Sequence, residues 1–122
     1  MRIGELAERT GVSTRSLRYY EQHGLLRARR STNGYRSYSE DDVRLVSEIR
    51  ALLAIGFKLE ETRPFVDCLR QGHSTGGSCA ASVEVYERKL SEIDQEIRVL
   101  LNRRAEVAAQ LSQACPGCFV RG

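Results

Sequence analysis

Apolar residues recur at helical spacing in several stretches of the chain and predict a mostly α-helical protein. The apolar positions of the first stretch are Ile3, Leu6 and Ala7. This short helix should end near Gly11, and a second should begin after the N-cap Ser13 and end at Gly24. Two short helices joined by a glycine-containing turn are typical of a helix-turn-helix, whose second helix enters the major groove of DNA.

A β-hairpin is predicted directly after these two helices. Leu25-Leu26 begins one strand, and residues 35–38 form the returning strand. Asn33-Gly34 between them indicates a two-residue type I′ turn, because such a turn needs positive φ at both positions. Several arginines lie on this hairpin and would make it a basic wing beside the second helix: Arg27, Arg29, Arg30 and Arg36.

Two further helices should follow the hairpin. Ser39 is the predicted N-cap of the third, with Asp42 three residues later as an acidic variant of the capping box, and its apolar face continues to Gly56. The fourth is expected over 60–69, with Pro64 near its first turn, where a missing amide is tolerated.

The stretch 79–112 contains neither proline nor glycine and predicts one long helix. Its apolar residues alternate in three- and four-residue steps, with Arg104 the one polar member of the series. The apolar members are Val83, Tyr86, Leu90, Ile93, Ile97, Leu100, Val107 and Leu111. A helix of 34 residues is about 50 Å long and needs a partner helix, so this heptad pattern predicts a coiled coil.

These elements suggest an order of domains. Residues 1–70 should form a DNA-binding domain, with the winged helix-turn-helix at 1–38 and connecting helices at 39–70. Residues 71–78 read as a flexible loop, 79–112 as the dimerisation helix and 113–122 as a cysteine-containing effector-binding tail.

Positive charge is concentrated at one end of the chain. Residues 1–38 carry eight arginines against three glutamates, whereas residues 39–122 carry eleven basic and thirteen acidic side chains. This balance fits nucleic-acid binding at the N-terminal end or a solvated basic surface. The pattern contains no membrane span and no apolar signal segment, which favours a cytoplasmic protein. No catalytic arrangement is visible, so we expect no enzymatic activity.

Several motifs resemble those of the MerR family of bacterial transcription regulators. They are Ile3-Gly4-Glu5-Leu6-Ala7, Thr10-Gly11-Val12, Tyr19-Tyr20-Glu21, Gly24-Leu25-Leu26, residues 33–38 and Gly56-Phe57. The resemblance implies a homodimer held by an antiparallel coiled coil and bound to an inverted repeat in double-stranded promoter DNA. It also implies an activator that distorts the promoter and thereby acts indirectly on RNA polymerase.

The same resemblance carries DNA-contacting roles to matching positions. Arg18 on the second helix, with Tyr35 and Arg36 on the wing, are the residues implied first. Thr14, Arg15 and Tyr20 are further candidates, and Tyr38 should meet the DNA backbone or pack beneath it. Arginine is the commonest reader of guanine, which favours Arg15 and Arg18 for base contacts. For one of Tyr19 and Tyr20, core packing is the simpler interpretation.

The cysteines suggest what the dimer senses. In an antiparallel pair symmetric about Ile97, facing residue numbers add to 194 (twice 97), so Cys79 faces Cys115 of the partner. Cys115 and Cys118 of one chain with Cys79 of the other would form two thiolate sites per dimer. Soft thiolates select zinc, cadmium, lead or mercury, or copper(I). Copper(I) sensors of the family resemble this layout but lack the cysteine at the start of the long helix, which favours a divalent ion.

Other interpretations of these residues stay open. The Cys115-x-x-Cys118 pair also suits a disulfide in a thiol-redox regulator without metal. Cys68 is expected to be a buried thiol, and His73 is either a fourth ligand or a solvated loop residue. An iron–sulfur centre, a small-molecule pocket and an enzyme have less support, and the cysteines could also have no sensing role.

Overall fold

The computed structural model describes residues 1–114, so Cys115 and Cys118 lie outside the described residues. Within this range the chain forms two compact units, Met1–Tyr86 and a second that begins at Glu87. The helices are α1 (Ile3–Thr10), α2 (Thr14–Gln22), α3 (Glu40–Ala54), a 3₁₀ turn (Leu59–Thr62), α4 (Arg63–Arg70) and α5 (Ala80–Gln113). The strands are β1 (Arg29–Arg30) and β2 (Arg36–Ser37), which pair antiparallel.

The helix-turn-helix forms where the sequence predicts it. Gly11 adopts a φ of 71°, and its N–H donates to the carbonyl of Ala7 over 2.9 Å, which ends α1. The hydroxyl of Ser13 accepts from the N–H of Ser16 over 3.1 Å and caps α2. Both ends are set by local side-chain and backbone chemistry, which explains why the sequence alone located them.

The wing differs from the predicted hairpin in its turn and in its length. Ser31 N–H donates to Tyr35 O over 2.8 Å, and Gly34 N–H donates to Ser31 O over 2.9 Å. Only Gly34 has positive φ, at 80°, while Asn33 does not. The prediction of a type I′ turn is therefore wrong, because these bonds close a three-residue loop that ends in a left-handed glycine. The residues Leu25-Leu26 are buried and precede the strand instead of beginning it.

The third helix agrees with the prediction, and the fourth is divided. The N–H of Ser39 donates to the Asp42 carboxylate over 2.8 Å, which forms the reciprocal half of a capping box. The region expected to be one helix starts as a 3₁₀ turn, in which the Thr62 hydroxyl donates to Leu59 O over 2.6 Å. Pro64 then lies in the first turn of α4, where it costs no helical hydrogen bond.

The first unit encloses two apolar clusters. The larger is formed by Leu6, Val12, Leu17, Tyr20, Leu25, Leu26, Tyr38, Leu45, Val46, Ile49 and Val66. The smaller contains Leu52, Phe57, Phe65 and Val85, and the Tyr86 ring meets the Phe65 ring edge-on at 4.8 Å. Because Val85 and Tyr86 belong to α5, the first unit includes the start of that helix.

The second unit, as far as it is described, consists of the remainder of α5. Large apolar side chains along it are exposed: Leu90 at 61%, Ile97 at 48%, Leu100 at 60%, Val107 at 68% and Leu111 at 70%. The predicted long helix is confirmed to within one residue at each end. Within the described residues, no helix combines the length and apolar character that crossing a membrane requires.

Candidate DNA-binding surface and cysteine site

The second helix of the helix-turn-helix has one buried and one open face. Leu17 and Tyr20 point into the core, whereas Arg15 and Arg18 are exposed and Thr14 is half-buried. Together with Tyr19, which is 50% exposed, these residues line a shallow concave surface. Two guanidinium groups on an open helical face are suited to phosphate oxygens or guanine edges.

Tyr20 differs from the other predicted contact residues on this helix. Its side chain is only 6% exposed and belongs to the larger apolar cluster, and burial raises the pKa of its hydroxyl. This burial does not fit the direct DNA contact expected for Tyr20. Of the tyrosine pair, Tyr20 is the core residue and Tyr19 the exposed one.

Glu21 connects the second helix to the wing. Its carboxylate accepts a hydrogen bond from Arg36 Nη1 over 2.8 Å and another from the hydroxyl of Tyr38. Tyr38 is 3% exposed, and its pKa is raised first by burial and then by this hydrogen bond to Glu21. Tyr38 thus packs beneath the surface, one of the two alternatives expected for it.

The role of Glu21 was not predicted from the sequence. The sequence marks Glu21 only as part of the Tyr19-Tyr20-Glu21 motif, since its partners lie 15 and 17 positions further along the chain. Its 13% side-chain exposure makes it a nearly buried carboxylate between two elements that are predicted to contact DNA. It is placed to fix the position of the wing with respect to the second helix.

Tyr35 is the most open aromatic residue of the wing, at 55% exposure. The guanidinium carbon of Arg2 lies 4.3 Å from the centre of its ring, a cation–π distance. The Tyr38 N–H donates to Met1 O over 2.8 Å and ties the start of the chain to the residue that follows β2. Arg2 therefore adds a cation to the basic wing that the sequence interpretation did not include.

Arginines from α3 and α4 hold the helix-turn-helix through backbone carbonyls. Arg50 Nη1 donates to Thr10 O over 2.9 Å, and Arg70 Nη2 donates to Leu25 O over 2.7 Å. The first bond satisfies a carbonyl at the end of α1 that has no partner inside the helix, and the second holds the segment that leads from α2 to the wing. The connecting helices thus support the candidate DNA-binding surface.

The cysteines form a pair that the sequence interpretation did not predict. Cys68, on α4, and Cys79, just before α5, are joined as a disulfide with their Cα atoms 5.9 Å apart. Cys68 is buried as expected, but the expectation that it is an unpaired thiol is wrong. Cys79, a predicted metal ligand, has a covalent partner in its own chain, so it can bind metal only when this disulfide is reduced.

His73 lies in the loop between these two cysteines. The candidate ligand atoms of Cys68, His73 and Cys79 all lie within 4.8 Å of one another. Residues 71–78 were expected to be a flexible loop, yet Arg44 Nη2 donates to Ser74 O over 3.1 Å and Gly76 is buried. The loop therefore has packed contacts with α3 in addition to the covalent link between its ends.

The helix-turn-helix, its basic wing and the helices behind them correspond to a known family. A model described as "MerR HTH family regulatory protein" matches residues 1–67, more than half of the chain. The chain belongs to the MerR family. MerR regulators bind promoter DNA and act as dimers, and they are transcription regulators rather than enzymes.

Relatives cover nearly the whole length of this MerR regulator. The HTH-type transcriptional regulator HmrR of Rhizobium leguminosarum bv. viciae is 34% identical, and the match covers 96% of this chain and 88% of HmrR. The HTH-type transcriptional regulator CueR of Escherichia coli O6:H1 is also 34% identical, with 96% and 84% covered. The match therefore includes the long helix as well as the DNA-binding domain.

Solved structures share the fold. PbrR691 from Ralstonia metallidurans CH34, in complex with lead(II), superposes with a TM-score of 0.75 at 23% identity, covering 98% of this chain and 91% of that one. HiNmlR, a MerR family regulator lacking the sensor domain and bound to promoter DNA, gives 0.58 at 23% identity, covering 92% and 83%. The mostly α-helical fold, with its winged helix-turn-helix and long helix, is thus confirmed.

Proposed function

We propose that this MerR regulator responds to a soft divalent metal ion and controls transcription by distorting promoter DNA. It would bind an inverted repeat as an antiparallel coiled-coil homodimer and act on RNA polymerase through DNA shape. The effector would be zinc, cadmium, lead or mercury, held by Cys79 of one protomer with Cys115 and Cys118 of its partner.

DNA binding through the second helix and the wing is supported by exposed cations at the predicted positions. Arg15 and Arg18 lie on the open face of α2, and Tyr35 and Arg36 lie on the wing. We assign base contacts to Arg15 and Arg18, phosphate or backbone contacts to Thr14, Tyr35 and Arg36, and a supporting role to Tyr20 and Tyr38.

The observation that carries the sensing proposal is the apolar seam of α5. Its side chains are exposed although they are apolar, and a second copy of the helix would cover them. With the antiparallel register about Ile97, the start of α5 in one protomer meets the tail of the other, which unites the three cysteines. The likeness in fold to a lead(II)-bound regulator supports a soft divalent ion as effector.

When the thiolates of the two protomers share an ion, the tail of one chain is tied to the helix start of the other. We expect this link to change the angle between the two DNA-binding units of the dimer and so the twist of the bound promoter. The proposal requires reduced Cys79, because a thiolate and not a disulfide sulfur is the metal ligand.

The test is a promoter fusion measured across a panel of metals and oxidants. Cys79→Ser, Cys115→Ser and Cys118→Ser should each abolish induction by metal while operator affinity stays nearly unchanged. Ser112→Ala, at an exposed position near the end of α5, is the control and should be induced normally. Loss of operator binding in the cysteine variants, or unchanged induction, would contradict the proposal.

The Cys68–Cys79 disulfide favours a second candidate, a thiol-redox regulator without metal. This pair differs from the Cys115–Cys118 disulfide that the sequence left open as the alternative to metal binding. Metal content and thiol titration after anaerobic purification separate the two functions. About one zinc or cadmium ion per protomer supports metal sensing. Reversible loss of two thiols on peroxide, with induction by peroxide and no bound metal, supports redox sensing.

A further inference from the structure

Two cysteines and one histidine of the same protomer come together in the first unit. Cys68 is supplied by α4, His73 by the loop after it, and Cys79 by the position just before α5. Their sulfur and imidazole nitrogen atoms lie within 4.8 Å of one another. Their proximity therefore depends neither on the coiled coil nor on residues 115–122.

Packing fixes the framework that carries these side chains. The Cys68 side chain is fully buried, and its sulfur lies 3.6 Å from the carbonyl oxygen of Thr75. The hydroxyls of Thr75 and Ser78 are hydrogen-bonded over 2.6 Å. A Cβ at Gly76 would lie 2.9 Å from a Glu48 carboxylate oxygen, so the loop runs close against α3. The backbone around the cluster is therefore held in place by contacts other than the disulfide.

The donor set suits a soft divalent cation once the cysteines are reduced. Zinc binds thiolates at about 2.3 Å and imidazole at about 2.0–2.1 Å, so ligand atoms around one ion lie roughly 3–4 Å apart. The cluster reaches this spacing if reduction lets the two sulfurs move apart by roughly 1.5 Å, and the exposed His73 is able to turn towards them. Two thiolates also neutralise a divalent ion completely, which lowers the cost of holding it beside the buried Cys68.

We propose that Cys68, His73 and Cys79 of one reduced protomer form a soft-metal site, distinct from the site shared between protomers. Binding releases the two thiol protons and leaves the fourth tetrahedral position for water. The inference rests on the proposed function only in that Cys79 belongs to both ligand sets. The two sites therefore compete for Cys79.

The test uses the full-length chain with Cys115→Ser and Cys118→Ser, reduced and kept anaerobic, so that only the site within the protomer remains. Titration with cadmium alone should show thiolate-to-metal absorption that saturates at about one ion per protomer. Adding Cys68→Ser to this double variant should remove the absorption. Cys68→Ala should do so as well, and it avoids a folding defect caused by a buried serine hydroxyl. Circular dichroism checks that both variants are folded.

The two histidines provide a matched pair of variants. Removing residues that merely orient a ligand costs about 10–100-fold in metal affinity, so His73→Gln should weaken cadmium binding at least that much. His23→Gln, at the exposed end of α2, should leave it unchanged. The proposed site would be wrong if the tail double variant bound no cadmium. It would also be wrong if cadmium binding were unchanged by the substitutions at Cys68 and His73. A third contradicting result would be that Cys68 and Cys79 form a disulfide on addition of peroxide but bind no cadmium when reduced.

Cys68→Ser in the otherwise unchanged chain separates this inference from the proposed function. It leaves Cys79, Cys115 and Cys118 intact, so metal induction of the promoter should persist. Failure of induction in the wild-type chain would count against the proposed function alone. Failure of cadmium binding in the tail double variant would count against the site within the protomer alone.

Discussion

The unit Met1–Tyr86 encloses its apolar side chains, whereas the described part of the unit that begins at Glu87 exposes most of its own. In the first unit Leu6, Leu17 and Phe65 have no exposed surface. In the second, Leu100, Val107 and Leu111 are each at least 60% exposed. A stable fold of the first unit can therefore rest on contacts within one chain, while the long helix depends on a second chain to cover its seam.

The largest expected effect comes from opening the core of the first unit. Phe65 is fully buried and meets the rings of Phe57 and Tyr86 edge-on. Phe65→Ala should lower the free energy of unfolding by about 3–5 kcal/mol, because it removes apolar burial and leaves a cavity. Urea denaturation followed by circular dichroism measures this.

The matched control for this core variant is Ile55→Ala, at a residue that is 64% exposed. Its effect on unfolding should stay within about 0.5 kcal/mol. Equal effects of the two substitutions would mean that the first unit does not depend on its own core, and the contrast between the units would disappear.

The next effect is expected from the seam of the long helix. Ile97→Asp places two carboxylates at the centre of the proposed dimer and should raise the dimer dissociation constant at least about a hundredfold, or about 2.8 kcal/mol. Sedimentation velocity measures the association. Asn102→Asp adds the same charge on the opposite face of the helix and should leave the dimer intact. A dimeric Ile97→Asp protein would place the interface elsewhere.

A smaller effect is expected at the DNA-binding surface. Arg18→Ala should weaken operator binding by about 1–3 kcal/mol and relax the preference at one base position, because a bidentate arginine contact is lost. Fluorescence anisotropy with operator and scrambled duplexes measures both quantities. Arg88→Ala, on the exposed long helix, serves as control. If Arg18→Ala weakened both duplexes equally, Arg18 would be a phosphate contact.

The smallest effect concerns the hydrogen bond beneath the wing. Tyr38→Phe should cost about 1 kcal/mol of stability at neutral pH, since the Glu21 carboxylate loses one donor. The folded protein holds the Tyr38 proton more tightly than an unfolded chain does, because its pKa is raised above 10.0. The stabilisation that comes from the raised pKa of Tyr38 is therefore complete below pH 10.0, the ordinary pKa of tyrosine, and is lost as the pH rises above it.

Comparing stability at about pH 8 and about pH 10.5 tests this assignment. Wild-type protein should lose more stability between these values than Tyr38→Phe does. Tyr35→Phe, at the exposed tyrosine of the same wing, should behave like wild type. An alkaline loss that is identical in wild type and Tyr38→Phe would show that another group causes it.

Features set by neighbouring residues could be predicted from the sequence, and those set by distant residues could not. Ser13 and Gly11 fix the ends of two helices through bonds within four positions. The Asn33-Gly34 turn was assigned wrongly because the same dipeptide fits a two-residue loop and the end of a three-residue loop. Only the pairing of Ser31 with Tyr35 distinguishes them.

The candidate sites follow the same division. Arg15 and Arg18 were identified from the resemblance to the MerR motifs and from the preference of arginine for guanine, and both are exposed on α2. The pairing of Cys68 with Cys79 was missed because it joins the end of α4 to the beginning of α5 across 11 positions. No periodic pattern reports the distance between two elements that a loop brings together.

If Arg36 contacts DNA as proposed, its ion pair with Glu21 should also affect how the regulator responds to ionic strength. An arginine that is already paired displaces fewer counterions from DNA than an unpaired one. Glu21→Gln would leave the positive charge of Arg36 unpaired on the wing. If Arg36 then neutralises one more phosphate, the slope of log affinity against log salt concentration should steepen by up to about 0.9. We therefore expect this single carboxylate to moderate how sharply operator occupancy changes with the ionic content of the cell.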